Sequence, residues 1–298
     1  MPDGARSSTL TDPTHDAQSL SAGLDALDTP TGTRAPWWRR ALTGFVPPVV
    51  ALVLVVIVWQ LLWASAIWPE FVLPAPGVVF DQIAGRVRSG QALDILWTSV
   101  HRAVLGFLLA LVIATPLGLL VASVSPVRRA IGPLLSGLQS LPSVAWVPAA
   151  VLWFGLDDSA VYFVVLMGAV PSIANGLVAG IDQIPPLLPR VGTAMGAGSL
   201  QSARFILLPA ALPGYLAGAK QGWAFSWRSL MAAEIIATSP SLGFGLGAYL
   251  QQGQSLSDMP TVIAAIVLIL VVGVGIELLV FRPVERRVLR ARGLGAAV

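Results

Sequence analysis

Apolar stretches of about 20 residues follow one another along most of this chain, the length that a helix needs to cross a bilayer. The chain of 298 residues is 55% hydrophobic and only 11% charged, whereas about a quarter of the residues in a soluble domain carry charge. The sequence therefore predicts an all-α integral membrane protein with about six transmembrane helices, near residues 47–68, 97–121, 134–153, 160–180, 215–237 and 261–281.

Two polar tails flank the apolar region. Residues 1–44 are rich in Ser, Thr, Asp, Gly and Pro, a composition that cannot bury enough apolar surface to fold, so a disordered tail is predicted. Residues 286–298 form a shorter, basic tail. The transmembrane domain is expected to occupy residues 45–285, which leaves no room for a second domain of useful size.

The distribution of charge predicts the orientation. With six helices, the N-terminal flank, the 123–132 turn, the 185–214 loop and the C-terminal tail share one side and hold most of the arginines. Basic residues accumulate on the cytoplasmic side of a membrane, so both termini are expected in the cytoplasm, with the spans in the inner or plasma membrane. This bias also accounts for the net charge of +3, and no nucleic-acid partner is expected.

The longest interruption between apolar stretches runs from Arg190 to Gly214. Prolines mark both ends, and its middle, Thr193 to Phe205, has mostly small residues and no helix breaker except glycine. This pattern predicts a short helix between two turns. Such a helix would expose a nearly bare backbone ridge that a groove on another protein could hold closely. An ordinary connecting loop is the simpler alternative.

The spacing within this loop is more specific than its composition. Ile206 follows Gly196 by ten residues, and Leu208 and Pro209 lie two and three positions after Ile206. This order resembles the Gly-Ile-x-Leu-Pro signature of the cytoplasmic loop in permease subunits of bacterial ABC importers. The resemblance implies an ATPase-docking loop that includes Arg190, Gly192, Gly196, Ala197, Ser199, Arg204, Ile206, Leu208 and Pro209.

One departure from the family pattern lies at the start of this loop. The family's motif opens with Glu-Ala-Ala, whereas this chain has Arg190, Val191 and Gly192 at the corresponding positions. The contact made by the family's glutamate therefore has no counterpart here.

Further segments resemble the same family, namely 99–107 with 116–118, 141–148 with 152–155, and 232–234 with 242–245. Together they resemble the nitrate, sulfonate and taurine branch over roughly residues 45–285. The resemblance implies a type I ABC importer permease fold and a permease homodimer in the lipid bilayer. It also implies two partners, cytoplasmic ABC ATPase subunits and an external substrate-binding protein.

No cofactor is expected on this chain. The sequence contains no G-x-x-x-x-G-K-[ST] loop, so ATP would be hydrolysed by the partner subunit and this chain is predicted not to be an enzyme. Cysteine is absent, and the spans contain no His-Glu-x-x-His pattern. Neither catalytic residues nor a metal site are predicted.

Ionisable residues inside a span are costly and are often functional. Arg228 and Glu234 lie in the fifth predicted span, six residues apart, and point to different faces of a helix. Arg228 could face a translocation path and attract an anion, or it could be a structural residue bonded to a carbonyl. Trp227 could line the same path, and Glu234 is expected to act in packing or gating. Lys220 and Glu277 are each expected to extend toward the inner surface.

These features predict the permease subunit of an ATP-driven importer for a small solute, with an aliphatic sulfonate, taurine or a nitrate-like anion favoured. Two alternatives stay open. An ion-coupled secondary transporter would require carboxylates at mid-depth and duplicated halves. The chain could also be an ABC permease for another solute class, such as a heterocyclic vitamin precursor.

Overall fold

The computed structural model describes residues 37–237 and 242–292, with side chains from residue 46 onward. The chain divides into two compact units, residues 1–64 and 65–298. In the first unit, helix α1 (Trp37–Ala64) begins inside the predicted tail, because residues 37–43 contain no helix breaker. The disorder predicted for residues 1–36 lies outside the described part of the chain.

All regular secondary structure that is described in the second unit is helical. Its helices are α2 (Pro76–Arg88), α3 (Gln91–Ser123), α4 (Ser125–Ser140), α5 (Val147–Phe154), α6 (Asp158–Asp182), α7 (Leu187–Ala194), α8 (Ser199–Ser202), α9 (Leu208–Ile236), α10 (Leu246–Ser255), α11 (Met259–Ile276) and α12 (Arg282–Ala291). Single π-helical turns at Ala203–Leu207 and Glu277–Phe281 join α8 to α9 and α11 to α12. The predicted all-α fold class is confirmed.

Four described helices are long and apolar enough to cross a membrane: Val46–Ala64, Gln91–Ser123, Asp158–Asp182 and Met259–Ala291. The bent pair Ser125–Ser140 and Ser143–Phe154 makes a fifth if it forms one span. Helix α9 has 29 residues but contains Lys220, Arg228 and Glu234. By length and composition the described residues thus provide four spans, or five with the bent pair, against about six expected; the remaining expected span, 215–237, falls on α9.

The span expected at residues 134–153 differs from the structure. Helix α4 starts at Ser125 and ends at Ser140, and a bend of 100° separates it from the helical segment Ser143–Phe154. The cause is Pro142, since the residue before a proline avoids the helical conformation. Leu141 is accordingly extended, with φ −73° and ψ 134°.

Helix α6 lies at the centre of the second unit and packs against both α3 and α9. The α6–α9 contact is made backbone to backbone through glycines. A Cβ placed on Gly218 would lie 2.6 Å from Gly176 Cα, and one placed on Gly214 would lie 2.5 Å from Gly180 Cα. Small residues allow this close approach, which favours helix association within membranes.

Candidate functional site: the docking segment, the open face of α9 and the Glu234 cluster

The segment between α6 and α9, residues 187–207, is called here the docking segment. Its first helix, α7, ends in a Schellman motif: the Ala197 N–H donates to Gly192 O and the Gly196 N–H donates to Thr193 O, both at 3.0 Å. Gly196 has φ +84°, a left-handed conformation that favours glycine. The short helix predicted over 193–205 differs from the structure, because the chain turns at Gly196 and is helical again only from Ser199.

After this turn the chain becomes helical again and stays helical into α9. The Gln201 side chain accepts a hydrogen bond from the Gly198 N–H at 3.0 Å and so caps the start of α8. In the π turn, the Leu208 N–H donates to Ala203 O, five residues earlier. Residues 199–236 thus form one helical rod, in which α8 and the π turn of the docking segment continue directly into α9.

Large apolar side chains project from the docking segment. Met195 and Leu200, on either side of the Gly196 turn, are each 82% exposed. Other exposed apolar side chains of the segment are Leu187, Leu188, Val191 and Phe205. Contiguous exposed apolar surface usually marks an interaction site. These residues are not in the predicted docking set, although bulky apolar side chains in a stretch of small ones are a visible signal in the sequence.

The predicted docking residues divide between the surface and the interior of the segment. Gly192 is buried against the Ile206 side chain, so these two motif positions hold the two halves of the segment together. Ala197 and Leu208 are partly buried. The exposed members are Arg190, Gly196, Ser199, Arg204 and Pro209.

One face of α9 is uncovered along much of its length. Ala217, Gln221, Ala224 and Arg228 are all exposed, and their spacing places them on one side of a helix. They border a groove of about 670 Å³. Small and polar side chains predominate on this face, which is not the composition expected of a lipid-facing surface.

Arg228 has only local partners. Its Nε donates to Ala224 O at 3.1 Å, and its guanidinium carbon lies 4.7 Å from the centre of the Phe225 ring. Among the described residues, no carboxylate lies within 4.0 Å of it. Arg228 thus makes the hydrogen bond to a carbonyl that is expected of a structural arginine. Its positive charge, however, has no acidic partner among the described residues.

Lys220 has the opposite environment. Its Nζ lies 2.5 Å from Glu277 Oε1 and 3.7 Å from Glu285 Oε2. Lys220 and Glu277 were expected to extend separately toward the inner surface, and the structure instead pairs them between α9 and the π turn of residues 277–281. The Lys220 charge is therefore compensated.

Trp227 borders the same groove but is only 7% exposed. It stacks on Trp223, with the ring centres 6.3 Å apart and the planes 16° from parallel. The role of Trp227 in a path stays a prediction, and its main described contact is this buried aromatic pair.

Glu234 does not lie on the open face of α9. It is buried, and its carboxylate accepts hydrogen bonds from Ser99 Oγ at 2.7 Å and from the Gly247 N–H at 2.9 Å. Arg102 NH1 lies 3.4 Å from Glu234 Oε1. The same guanidinium bonds Asp158 Oδ1, with Nε at 2.9 Å, and the Leu242 carbonyl.

This Glu234 cluster connects α3, α9, the start of α6 and the turn before α10. A cavity of about 570 Å³, bordered by Arg102, Glu234, Phe244 and Gln251, lies beside it. A buried ion pair whose atoms are all hydrogen-bonded fixes the relative positions of the elements that contribute to it. The arrangement fits the packing role expected for Glu234, and the structure does not bring Glu234 together with Arg228.

Comparison with known proteins bears on these features. Residues 114–290, more than half of the chain, match the family described as "Binding-protein-dependent transport system inner membrane component". A chain of Methanocaldococcus jannaschii, provisionally named an ABC transporter permease protein, is 31% identical over 228 residues, which are 75% of this chain and 84% of the relative.

Two relatives carry more specific names. The taurine transport system permease protein TauC of Escherichia coli is 27% identical over 240 residues, covering 79% of this chain and 85% of TauC. The bicarbonate transport system permease protein CmpB of Synechococcus elongatus is 27% identical over 247 residues, covering 79% of this chain and 87% of CmpB.

Among solved structures, an inward-facing conformation of the MetNI methionine ABC transporter contains a chain similar in fold. The TM-score is 0.57 with 22% identity, covering 66% of this chain and 95% of that chain. This similarity supports the fold, and the family match and the relatives confirm the resemblance stated from the motifs. The chain belongs to the family of binding-protein-dependent transport system inner membrane components, as a multi-pass permease of the type I ABC importer class.

Proposed function

We propose that this chain is the permease subunit of an ATP-driven importer and that the docking segment binds a cytoplasmic ATPase subunit. The observation that carries this proposal is the exposure of Met195 and Leu200 on either side of the turn at Gly196. Apolar side chains at 82% exposure are unfavourable in water, and a groove on a partner would remove them from it. In this proposal both termini are cytoplasmic, and an external binding protein delivers the solute.

The docking segment is built to transmit a displacement. The Schellman motif and the Gly192–Ile206 contact hold α7 against the π turn, and residues 199–236 continue as one helical rod. The glycine contacts between α6 and α9 then tie this rod to the centre of the second unit. Closure of two ATPase subunits on ATP would therefore move α9 as a lever.

The open face of α9 is proposed to line the translocation path of a permease homodimer. Arg228 lies eight residues before the end of α9, about 12 Å along the helix axis. An arginine at this depth is costly against lipid. A second copy of the chain, with water between the two α9 faces, would avoid that cost. ATP is hydrolysed by the partner in this arrangement.

The proposed solute is a small anion. Arg228 supports this because it puts a positive charge without a described acidic partner on the open face, whereas Glu277 and Glu285 compensate Lys220. The names of two relatives are compatible with this, since bicarbonate is an anion and taurine carries a negative sulfonate group beside its ammonium group. The external binding protein would select among such solutes.

Leu200→Glu tests the coupling. Leu200 is exposed in the first turn of α8, where an acidic residue is tolerated, so folding should be retained while docking on an apolar groove is lost. Stimulation of the partner's ATPase activity in proteoliposomes should fall at least tenfold, because about 2 kcal/mol of apolar burial is removed.

Leu93→Glu is the matched control. Leu93 is 68% exposed and lies in the first turn of α3, at the end of the second unit that holds the Glu234 cluster. This variant should retain full stimulation. If the Leu200 and Leu93 variants stimulated the partner's ATPase activity equally, the docking assignment would be refuted.

A further inference from the structure

Helix α12 carries a row of arginines on one side. Arg282, Arg286, Arg287 and Arg290 are all exposed, and at 100° per residue they cluster on a single face. None has a carboxylate within 4.0 Å among the described residues. The four guanidinium groups are therefore available to an external partner.

The opposite face of α12 is fixed to α9. Val288 and Leu289 border a small cleft with Pro213 and Leu216 of α9, and Glu285 lies near Lys220 across the same contact. These contacts hold the arginine face outward and set its orientation relative to the membrane-spanning helices of the second unit.

A second anchor ties the end of this helix to the start of α9. The Arg292 NH1 donates to Ala210 O at 3.1 Å. The arginine face therefore lies at the same end of the second unit as the docking segment.

The height of the arginine face follows from the helix that precedes it. Residues 259–291 form one continuous helix of 33 residues, and roughly 20 residues from Met259 are enough to cross the hydrocarbon core. The four arginines then lie about 6 to 18 Å beyond the core boundary. The headgroup layer is about 5 to 8 Å thick on each side, so this range begins in that layer and extends into the water within about one Debye length of it.

We propose that this arginine face binds the phosphate groups of anionic phospholipids. Several arginines directly beyond a transmembrane helix form an electrostatic site for acidic headgroups, and guanidinium groups bind phosphate oxygens in a bidentate manner. The position directly beyond a transmembrane helix, within about one Debye length of the headgroups, favours lipid over an acidic protein surface. The proposal is independent of the solute and of the coupling function.

Lipid binding to the purified full-length chain provides the first test. The protein in neutral detergent is mixed with phosphatidylglycerol or phosphatidylcholine, and bound lipids are counted by native mass spectrometry at low and high salt. Phosphatidylglycerol should bind roughly tenfold more tightly than phosphatidylcholine, and high salt should weaken it. Equal binding of the two lipids by the unmodified protein would overturn the proposal without any variant.

Two matched variants locate the site. Replacing all four arginines by Gln should remove the preference for phosphatidylglycerol, whereas replacing all four by Lys should retain most of it. All four side chains are exposed, so the fold should survive, and a monodisperse elution profile checks this. A Gln variant that binds phosphatidylglycerol like the unmodified protein would overturn the proposal. A Gln variant that still binds phosphatidylglycerol but loses a co-purifying protein would also overturn the proposal, because the arginine face would then bind protein.

Discussion

Two cationic residues of α9, eight positions apart, show how neighbours decide the role of a charge. Lys220 is paired with Glu277 and Glu285, so these three side chains together bring no positive charge to the groove that they border. Arg228 has a carbonyl and an aromatic ring as partners, and these leave its positive charge uncompensated. An anion in the groove would therefore be attracted chiefly to Arg228.

The field of Arg228 can be measured with a single cysteine, because the chain has none of its own. Ala224→Cys, one turn away on the open face of α9, should react with water-soluble methanethiosulfonates. The ratio of the rates for an anionic and a cationic reagent should fall roughly tenfold when Arg228→Gln is added, since the local excess of anions is lost.

Val112→Cys serves as the control for lipid exposure. Val112 is 70% exposed in the middle of α3, where lipid should cover it, and it should react with neither reagent. An unreactive Ala224→Cys would exclude the aqueous path along α9, and a rate ratio insensitive to Arg228→Gln would exclude the anion site.

Single ionisable residues can be predicted from the sequence more readily than their partners. Glu234 and Arg228 stand out because charge is rare inside a span. The contacts of Glu234 with Ser99 and Arg102 join residues 135 and 132 positions apart, and no local pattern encodes such a distance. The sequence does contain a sign that this part of α3 faces a polar partner, since Ser99 and Arg102 are three residues apart and share one face of the helix.

At the scale of elements, apolar length predicted where helices lie but not where they break. Helix α6 differs from the expected 160–180 by only two residues at each end, because its apolar stretch ends at polar residues on both sides. The 100° bend after α4 and the π turn before α9 depend instead on which backbone groups remain available for hydrogen bonds. Prolines at 142 and 209 remove such groups.

The close contact of α6 and α9 yields a stability test. Gly218→Ala places a methyl group 2.6 Å from Gly176 Cα, a backbone atom that cannot rotate away. The two helices must separate, which should lower the free energy of unfolding by about 1–3 kcal/mol. Thermal unfolding in detergent measures the effect as a lower midpoint temperature.

Gly275→Ala is the control for helix propensity. A Cβ at Gly275 in α11 meets no atom within 4 Å, so this variant should be unchanged or stabilised by up to about 1 kcal/mol. If both glycine variants shift the midpoint equally, the α6–α9 contact is not the close packing that the structure shows.

At the scale of the whole molecule, a single chain leaves two surfaces unfinished: the open face of α9 and the apolar side chains of the docking segment. A second copy of the chain and an ATPase would complete them. The motifs at 196–209 and 141–155 were sufficient to predict the family, since they follow its pattern closely. The solute does not follow from these motifs, because it depends on few side chains and, in the proposed function, on an external protein.

Photo-crosslinking from Leu200 tests the proposed coupling most directly. The full-length chain, carrying p-benzoylphenylalanine at position 200 or at position 93, is irradiated in its native membrane, and the adducts are identified by mass spectrometry. Position 200 should capture a protein with a G-x-x-x-x-G-K-[ST] nucleotide-binding loop, and position 93 should not. If position 200 captures no such ATPase, or if both positions capture it equally, the docking segment does not couple this permease to ATP.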